Sequence, residues 1–325
     1  MMDRRLHAVA CSLLLAFALG LTACQPADTE EEAGPEADTL AADTVAEAPA
    51  EAGVVEVTAV DYAFQGPAEV PSGWTTFRLA NEGEEPHFLI LWKVPEGRSV
   101  EDYRNEVVPV FDAAYDSLEA GTMDQGAAGA MIGQNLPGWF GNVEAMGGPG
   151  LLAAGRTGET TVKLEPGSYV MECYVKSPEG EFHSSLGMLA GLTVTEDSTG
   201  MPEPEADVEL TLTNADIAAA SEGPIPAGEH TIAVRYEEHP EAGLGNDVHV
   251  ARLDEGASLD EVSSWMNWMN LDGLLPPAPA EFVGGAQEVP VGSTSYFTVE
   301  LEPGRYAWAS EASAAERVVK EFTVE

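Results

Sequence analysis

His87, Cys173, His183 and Met188 fall in that order along the chain. Two imidazole nitrogens, one thiolate and a weak axial thioether form the donor set of a mononuclear blue-copper site. Soft sulfur and borderline nitrogen suit copper in both oxidation states. The chain has only six histidines and three cysteines, so this order is informative. Each residue alone also has a plainer reading. Cys173 reads as a small buried hydrophobe on a strand, His87 as a strand-end histidine satisfied by a carbonyl, and Met188 as core.

The other two cysteines belong to the N-terminus. Cys11 lies in the apolar run from Ala8 to Leu21, behind Arg4 and Arg5, and Cys24 closes Leu21-Thr22-Ala23-Cys24. This pattern reads as a signal peptide over 1–23, and the tetrapeptide resembles the bacterial lipoprotein processing site, with Cys24 lipidated. The apolar run is shorter than the roughly 20 residues a membrane span needs. Cys173 is then left without a partner within the chain. No intramolecular disulfide is expected, and the lone thiol is buried and inert, metal-bound or reactive.

Positioning such a site falls to the remainder of the chain. Residues 24–53 are rich in Glu, Asp, Ala, Pro and Thr and carry no basic residue, which reads as an acidic, disordered tether. The formal charge of -42 disfavours nucleic acid as a partner, because an anionic surface repels phosphate backbones. About 270 residues remain, a natural size for two domains. An internal repeat supports this: TVKLEPGSYVMECYV from Thr161 recurs as TVELEPGRYAWASEA from Thr298. Val70-Pro71-Ser72-Gly73 matches Ile225-Pro226-Ala227-Gly228 upstream. The expected division is domain 1 over 54–196, a Glu/Pro/Ser/Gly-rich linker over 197–206, and domain 2 over 207–325.

Short runs alternate in hydrophobicity within each copy. Val55, Val57 and Ala59 oppose Glu56 and Thr58, while Tyr169, Met171, Cys173 and Val175 share one face. Period two with Pro-Gly turns predicts antiparallel strands with one buried side. The segment from Ser99 to Gly121 instead carries Tyr103, Val107, Val110, Phe111 and Tyr115 near helical spacing, with Pro109 expected as a kink. A shorter helical insertion is expected from Ser258 to Asn270, its Trp265, Met266, Trp268 and Met269 serving packing.

Asn81 to His87 and Cys173 to Val194 resemble the ligand segments of the cupredoxin family, with Gly187-Met188 leading into a final strand. Four residues separate His183 from Met188, as in plastocyanin-like proteins. The resemblance implies an all-β fold of two tandem cupredoxin-like Greek-key β-sandwiches, each with a short helical insertion. It also implies one type 1 copper ion in domain 1, with His87, Cys173, His183 and Met188 as ligands. One departure stands out: nine residues, Tyr174 to Phe182, separate Cys173 from His183 where typical electron carriers have a few. Such a loop forfeits tight preorganisation.

In the second copy, aligned Leu-Glu-Pro-Gly turns set Ser310 opposite Cys173, and only His249 offers a match for His87. Domain 2 is therefore expected to lack copper ligands and to be structural or partner-binding. His230 and His239 read as surface residues. No nucleophile elbow, zinc helix, phosphate loop or C-x-x-C pair is present, and no His-x-His pair of the kind a multicopper oxidase needs. No catalytic residue is assigned, and the chain is not expected to be an enzyme. The expectation is a membrane-anchored envelope lipoprotein, facing the periplasm or cell exterior, that carries electrons or copper to a redox or envelope partner. The alternative is a metal-free cupredoxin-like binding or scaffold lipoprotein.

Overall fold

Eight strands build the first copy: β1 (Val54–Val60), β2 (Ala63–Gln65), β3 (Glu69–Asn81), β4 (Ile90–Val94), β5 (Glu144–Ala145), β6 (Thr157–Leu164), β7 (Gly167–Glu172) and β8 (Leu189–Ser198). The structure is a computed structural model and describes residues 53–325, apart from 221–222, 242 and 312–318. The signal peptide and Cys24 lie outside the described residues, as does the tether apart from Gly53. No helix among the described residues is long and apolar enough to cross a membrane.

β3 lies between β1, which runs parallel to it, and antiparallel β6. β4 pairs with β5 and β7, and β7 with β8. The start of β3, Glu69–Ser72, crosses to run parallel beside β8 and joins the two faces of the sandwich. Between them lies a core in which Phe77, Leu79, Phe88 and Leu91 are fully buried. Each such side chain contributes about 1.5–3 kcal/mol on leaving water.

The second copy repeats the pattern with β9 (Val208–Leu212), β10 (Ile217–Ala219), β11 (Gly228–Tyr236), β12 (Val248–Leu253), β13 (Glu281–Ala286), β14 (Thr294–Leu301), β15 (Gly304–Ala309) and β16 (Val319–Val324). β9 runs parallel to β11, β11 pairs with β14, β12 with β13 and β15, and β15 with β16. The crossover is reduced to one parallel bridge, Ile225 to Val324. The tandem β-sandwich expected from the repeat is the fold observed.

The copies are also fused. Thr161, Thr160 and Glu159 of β6 pair with Tyr296, Phe297 and Thr298 of β14, so one sheet runs through both. Beside it, Gly150 N donates to Gly285 O and Gln287 N to Gly148 O. A Cβ at Gly150 would come within 2.8 Å of the Gly285 backbone across the seam, which is why glycine stands there.

The insertion departs from its expected form. Ser99 caps α1 (Val100–Glu106) through a capping box with Asp102. Pro109 does not kink a continuous helix. It sits in the first turn of a separate α2 (Val108–Glu119), where its missing N–H costs nothing. A third helix, α3 (Gln125–Asn135), capped by Asp124, follows. The insertion covers the outer face of β7, so that strand is buried on both sides rather than one, with Val170 and Glu172 buried as well as Tyr169 and Met171. α4 (His183–Leu186) is a single turn in the ligand loop, and α5 (Leu259–Met266) is the short insertion of the second copy. Its Trp265 and Met266 are core, as expected.

Candidate metal centre

His87 is fixed by the turn that carries it. Asn81 ends β3 and its Nδ2 donates to the carbonyls of Glu85 (2.8 Å) and Leu152 (2.9 Å), while its Oδ1 accepts Gly83 N. His87 N donates to Leu152 O at 3.0 Å. Cys173 directly follows β7 and its N donates to Met188 O at 3.3 Å. Met188 N donates in turn to His183 O at 2.8 Å, and His183 N to Val175 O at 2.8 Å. All four side chains are 0 % exposed.

The nine-residue ligand loop is not slack. Lys176 and Phe182 form an antiparallel bridge, and Ser177 N donates to Glu181 O at 2.8 Å, so the segment doubles back as a tight turn. Its anchor is the second copy. Lys176 N donates to Leu274 O, and its buried Nζ donates to the carbonyls of Trp268 (2.8 Å) and Asn270 (2.7 Å). That Nζ also lies 4.2 Å from the Tyr115 ring centroid. The expected loss of preorganisation is therefore corrected: backbone pairing and a buried lysine restore it.

Cys173 Sγ lies 3.8 Å from His87 Nδ1 and 3.6 Å from His183 Nδ1. The opposite ring nitrogens are both engaged, His87 Nε2 with Asp61 Oδ1 and His183 Nε2 with Glu85 Oε2, each at 2.7 Å. A carboxylate acceptor places the proton on Nε2 and leaves the Nδ1 lone pair facing the sulfur. Burial pushes the His87 imidazole down, against the pull of Asp61. Burial and then His87 push His183 down to about 2. Both rings are thus neutral and able to coordinate. Burial pushes the Cys173 thiol up to about 12, so a thiolate here requires a cation beside it. Two free imidazole lone pairs, one thiol and a buried thioether at the end of the loop fit a type 1 copper ion.

Asp61 and Glu85 were not found from the sequence. Asp61 follows β1 and Glu85 precedes His87 by two, and in so acidic a chain no pattern distinguishes them. Tyr62 OH steadies Glu85 at 3.0 Å, and the Tyr62 ring lies 4.6 Å from that of His183. Gly83 makes room: a side chain there would strike Asp61 Oδ1 and come within 2.7 Å of His87 Nε2.

The second copy shows the contrast. Strand pairing sets Ser310 opposite Cys173, as expected. His249 faces Ala309 on β15 where Ile90 faces Glu172 on β7, which makes Asn246, not His249, the counterpart of His87. Asp247, His249 and Glu311 do cluster. His249 Nδ1, however, accepts Leu151 N at 3.0 Å and its Nε2 donates to Asp247 at 2.8 Å, leaving no lone pair for a metal. His230 is not a surface residue: it is buried between Asp207 and Pro226 O. His239 is half-buried and donates to Val289 O.

No protein-family model matches the chain, and no curated protein matches it. Several solved structures align. Auracyanin A, a "blue" copper protein of the green thermophilic photosynthetic bacterium Chloroflexus aurantiacus, is 24% identical and covers 44% of this chain and 98% of its own, at a TM-score of 0.27. Reduced auracyanin of Roseiflexus castenholzii is 22% identical and covers 44% and 97%, at 0.26. A multicopper oxidase is 13% identical and covers 84% of this chain and 88% of its own, at 0.24. These are likenesses of fold. The chain carries a cupredoxin-like fold with a donor cluster that fits copper. One of these fold likenesses is to a multicopper oxidase and runs across both copies, so the expectation that the chain is not an enzyme is withdrawn.

Proposed function

We propose that this chain is an envelope lipoprotein, tethered through lipidated Cys24, whose first copy holds one type 1 copper ion for electron transfer or copper carriage. His87, Cys173, His183 and Met188 are its ligands. The observation that carries the reading is the convergence of two neutral Nδ1 lone pairs on one buried thiol. When bound, copper would cycle between its two oxidation states. The chain's own part is to hold the donors in one geometry for both. Carboxylates fix both rings, and the loop turn and Lys176 fix His183. The second copy braces the ligand loop and leaves its own equivalent positions as Asn246 and Ser310. The acidic stretch over 24–53 would give the domain reach from the membrane toward a redox partner in the periplasm or outside the cell. The Leu21-Thr22-Ala23-Cys24 pattern and the composition of the tether support that placement.

Titrating the soluble protein from Gly53 onward with copper(II), followed by desalting, tests the reading. An intense thiolate-to-copper absorption band at one equivalent, lost in Cys173→Ala with the fold intact, is expected. A colourless protein that retains no copper, or a band that survives Cys173→Ala, would sink the assignment.

A further inference from the structure

A cavity of about 960 Å³ lies where α1 to α3 face the second copy, outside the ligand cluster. Its walls are aromatic, with Trp92, Phe111, Phe140 and Trp268 among them. Among the described residues lining it there is no Lys or Arg, but there are four acids: Glu144, Glu172, Glu288 and Glu311. Glu172 is satisfied by Trp92 Nε1 at 2.7 Å and Tyr103 OH at 2.8 Å. Glu311 is only 3 % exposed. Its Oε2 accepts Tyr174 OH, but its Oε1 is buried without a hydrogen-bond partner. Glu288 is also buried, and burial followed by the charge of Asp247 pushes its carboxyl up to about 8.

The space is kept open by the sequence of α3. Gly126, Gly129 and Gly133 recur every three or four residues and all line the cavity. A Cβ at Gly129 or Gly133 would meet no atom within 4 Å, so these glycines are not demanded by packing. They cost helix stability, about 1 kcal/mol each relative to alanine, and leave a wall without side chains.

We propose that this cavity binds an organic ammonium ion. The apolar body would sit among the aromatic walls, and its N–H donors would meet Glu311 Oε1 and Glu288. An anion would find no Lys or Arg among the described lining residues to receive it. A neutral hydrophobe would leave an unpartnered carboxyl oxygen beside it, which is costly in an apolar surround. A bare metal ion would use neither the volume nor the aromatic faces, whereas an ammonium gains from both. The proposal does not depend on copper.

Calorimetric titration of the purified apo protein with phenethylammonium, and with phenethyl alcohol as its neutral counterpart, tests it. The ammonium should bind at least about tenfold tighter, as a charge-assisted hydrogen bond requires. Glu311→Gln should remove that preference while leaving the alcohol unchanged. Gly129→Leu, which fills the wall, should weaken both. Glu288→Gln provides a second reading should Glu311→Gln fail to fold, as judged by circular dichroism. Equal affinity for the two probes, no binding of either, or a preference that survives in a folded Glu311→Gln or Glu288→Gln variant would overturn the proposal.

Discussion

His183 gives its Nε2–H to Glu85 at 2.7 Å, and that one bond decides which face of the ring meets Cys173. Asp61 does the same for His87. A carboxylate behind an imidazole raises its basicity and favours the more highly charged metal. Asp61→Asn and Glu85→Gln should therefore weaken copper(II) binding by about 10–100-fold. Where the loss falls on the oxidised form, the reduction potential rises by about 59 mV per tenfold. Redox titration of each copper-loaded variant checks this. An unchanged potential would reduce the two carboxylates to packing.

Copper uptake should release a proton. The Cys173 thiol is held up at about 12 by burial, so it is protonated in the metal-free protein throughout the neutral range, while both imidazoles are already neutral. Binding requires the thiolate, so apparent copper(II) affinity should rise about tenfold per pH unit above the ordinary histidine range, between roughly pH 7 and 8. Competition titrations at several pH values read the slope. A flat profile would mean that Cys173 is not a ligand.

Lys176 ties the ligand loop to the second copy. Lys176→Ala removes the donor from two carbonyls, Trp268 and Asn270, and its contact with the Tyr115 ring. Leaving buried acceptors unpaired costs about 1–3 kcal/mol. Copper dissociation should be faster and urea unfolding should shift to lower concentration. Wild-type dissociation in this variant would show that the loop turn alone suffices.

Stability should fall as pH rises. Burial lifts Glu172 to about 7 and Glu288 to about 8 from an ordinary value of 4.5, so the folded state holds protons that the unfolded chain has released. The contribution is present below the ordinary carboxyl value and is lost as pH climbs through the raised values, by up to about 1.4 kcal/mol per unit per group. Urea midpoints at pH 6.5 and pH 7.5 measure the decline, above the range in which the buried neutral His87 and His183 act in the opposite direction. The general repulsion of so acidic a chain acts in the same direction, and Glu288→Gln separates the two by flattening only the local part.

Strands were legible because their alternation is local, and the tandem architecture was legible because duplication leaves matched turns. The clustering of His87, Cys173 and His183 was legible because Cys and His are scarce here. Asp61 and Glu85 were not, since they are two acids among many and only three-dimensional proximity selects them. The misplaced match of His249 has a similar origin. Counting from a shared turn does not fix strand register, and the pairing of β12 with β15 does. Nor did Lys176 announce itself, because a buried lysine is defined by the carbonyls that receive it, and these come from about 90 residues away. The glycine seam between the copies likewise follows from packing rather than pattern.

The pairing of β6 with β14 has a consequence for solubility. An outer strand left open offers its unpaired backbone groups to any passing chain and is a seed for aggregation. Duplication covers that ladder on β6 with a covalently attached neighbour, so no free chain has to be recruited to supply one. The merged sheet ends instead on β10 and β5, three and two residues long, and on a side branch at β2, three residues long, all too short to template further growth. Severed from its twin, the first copy would thus expose β6, and it should then self-associate.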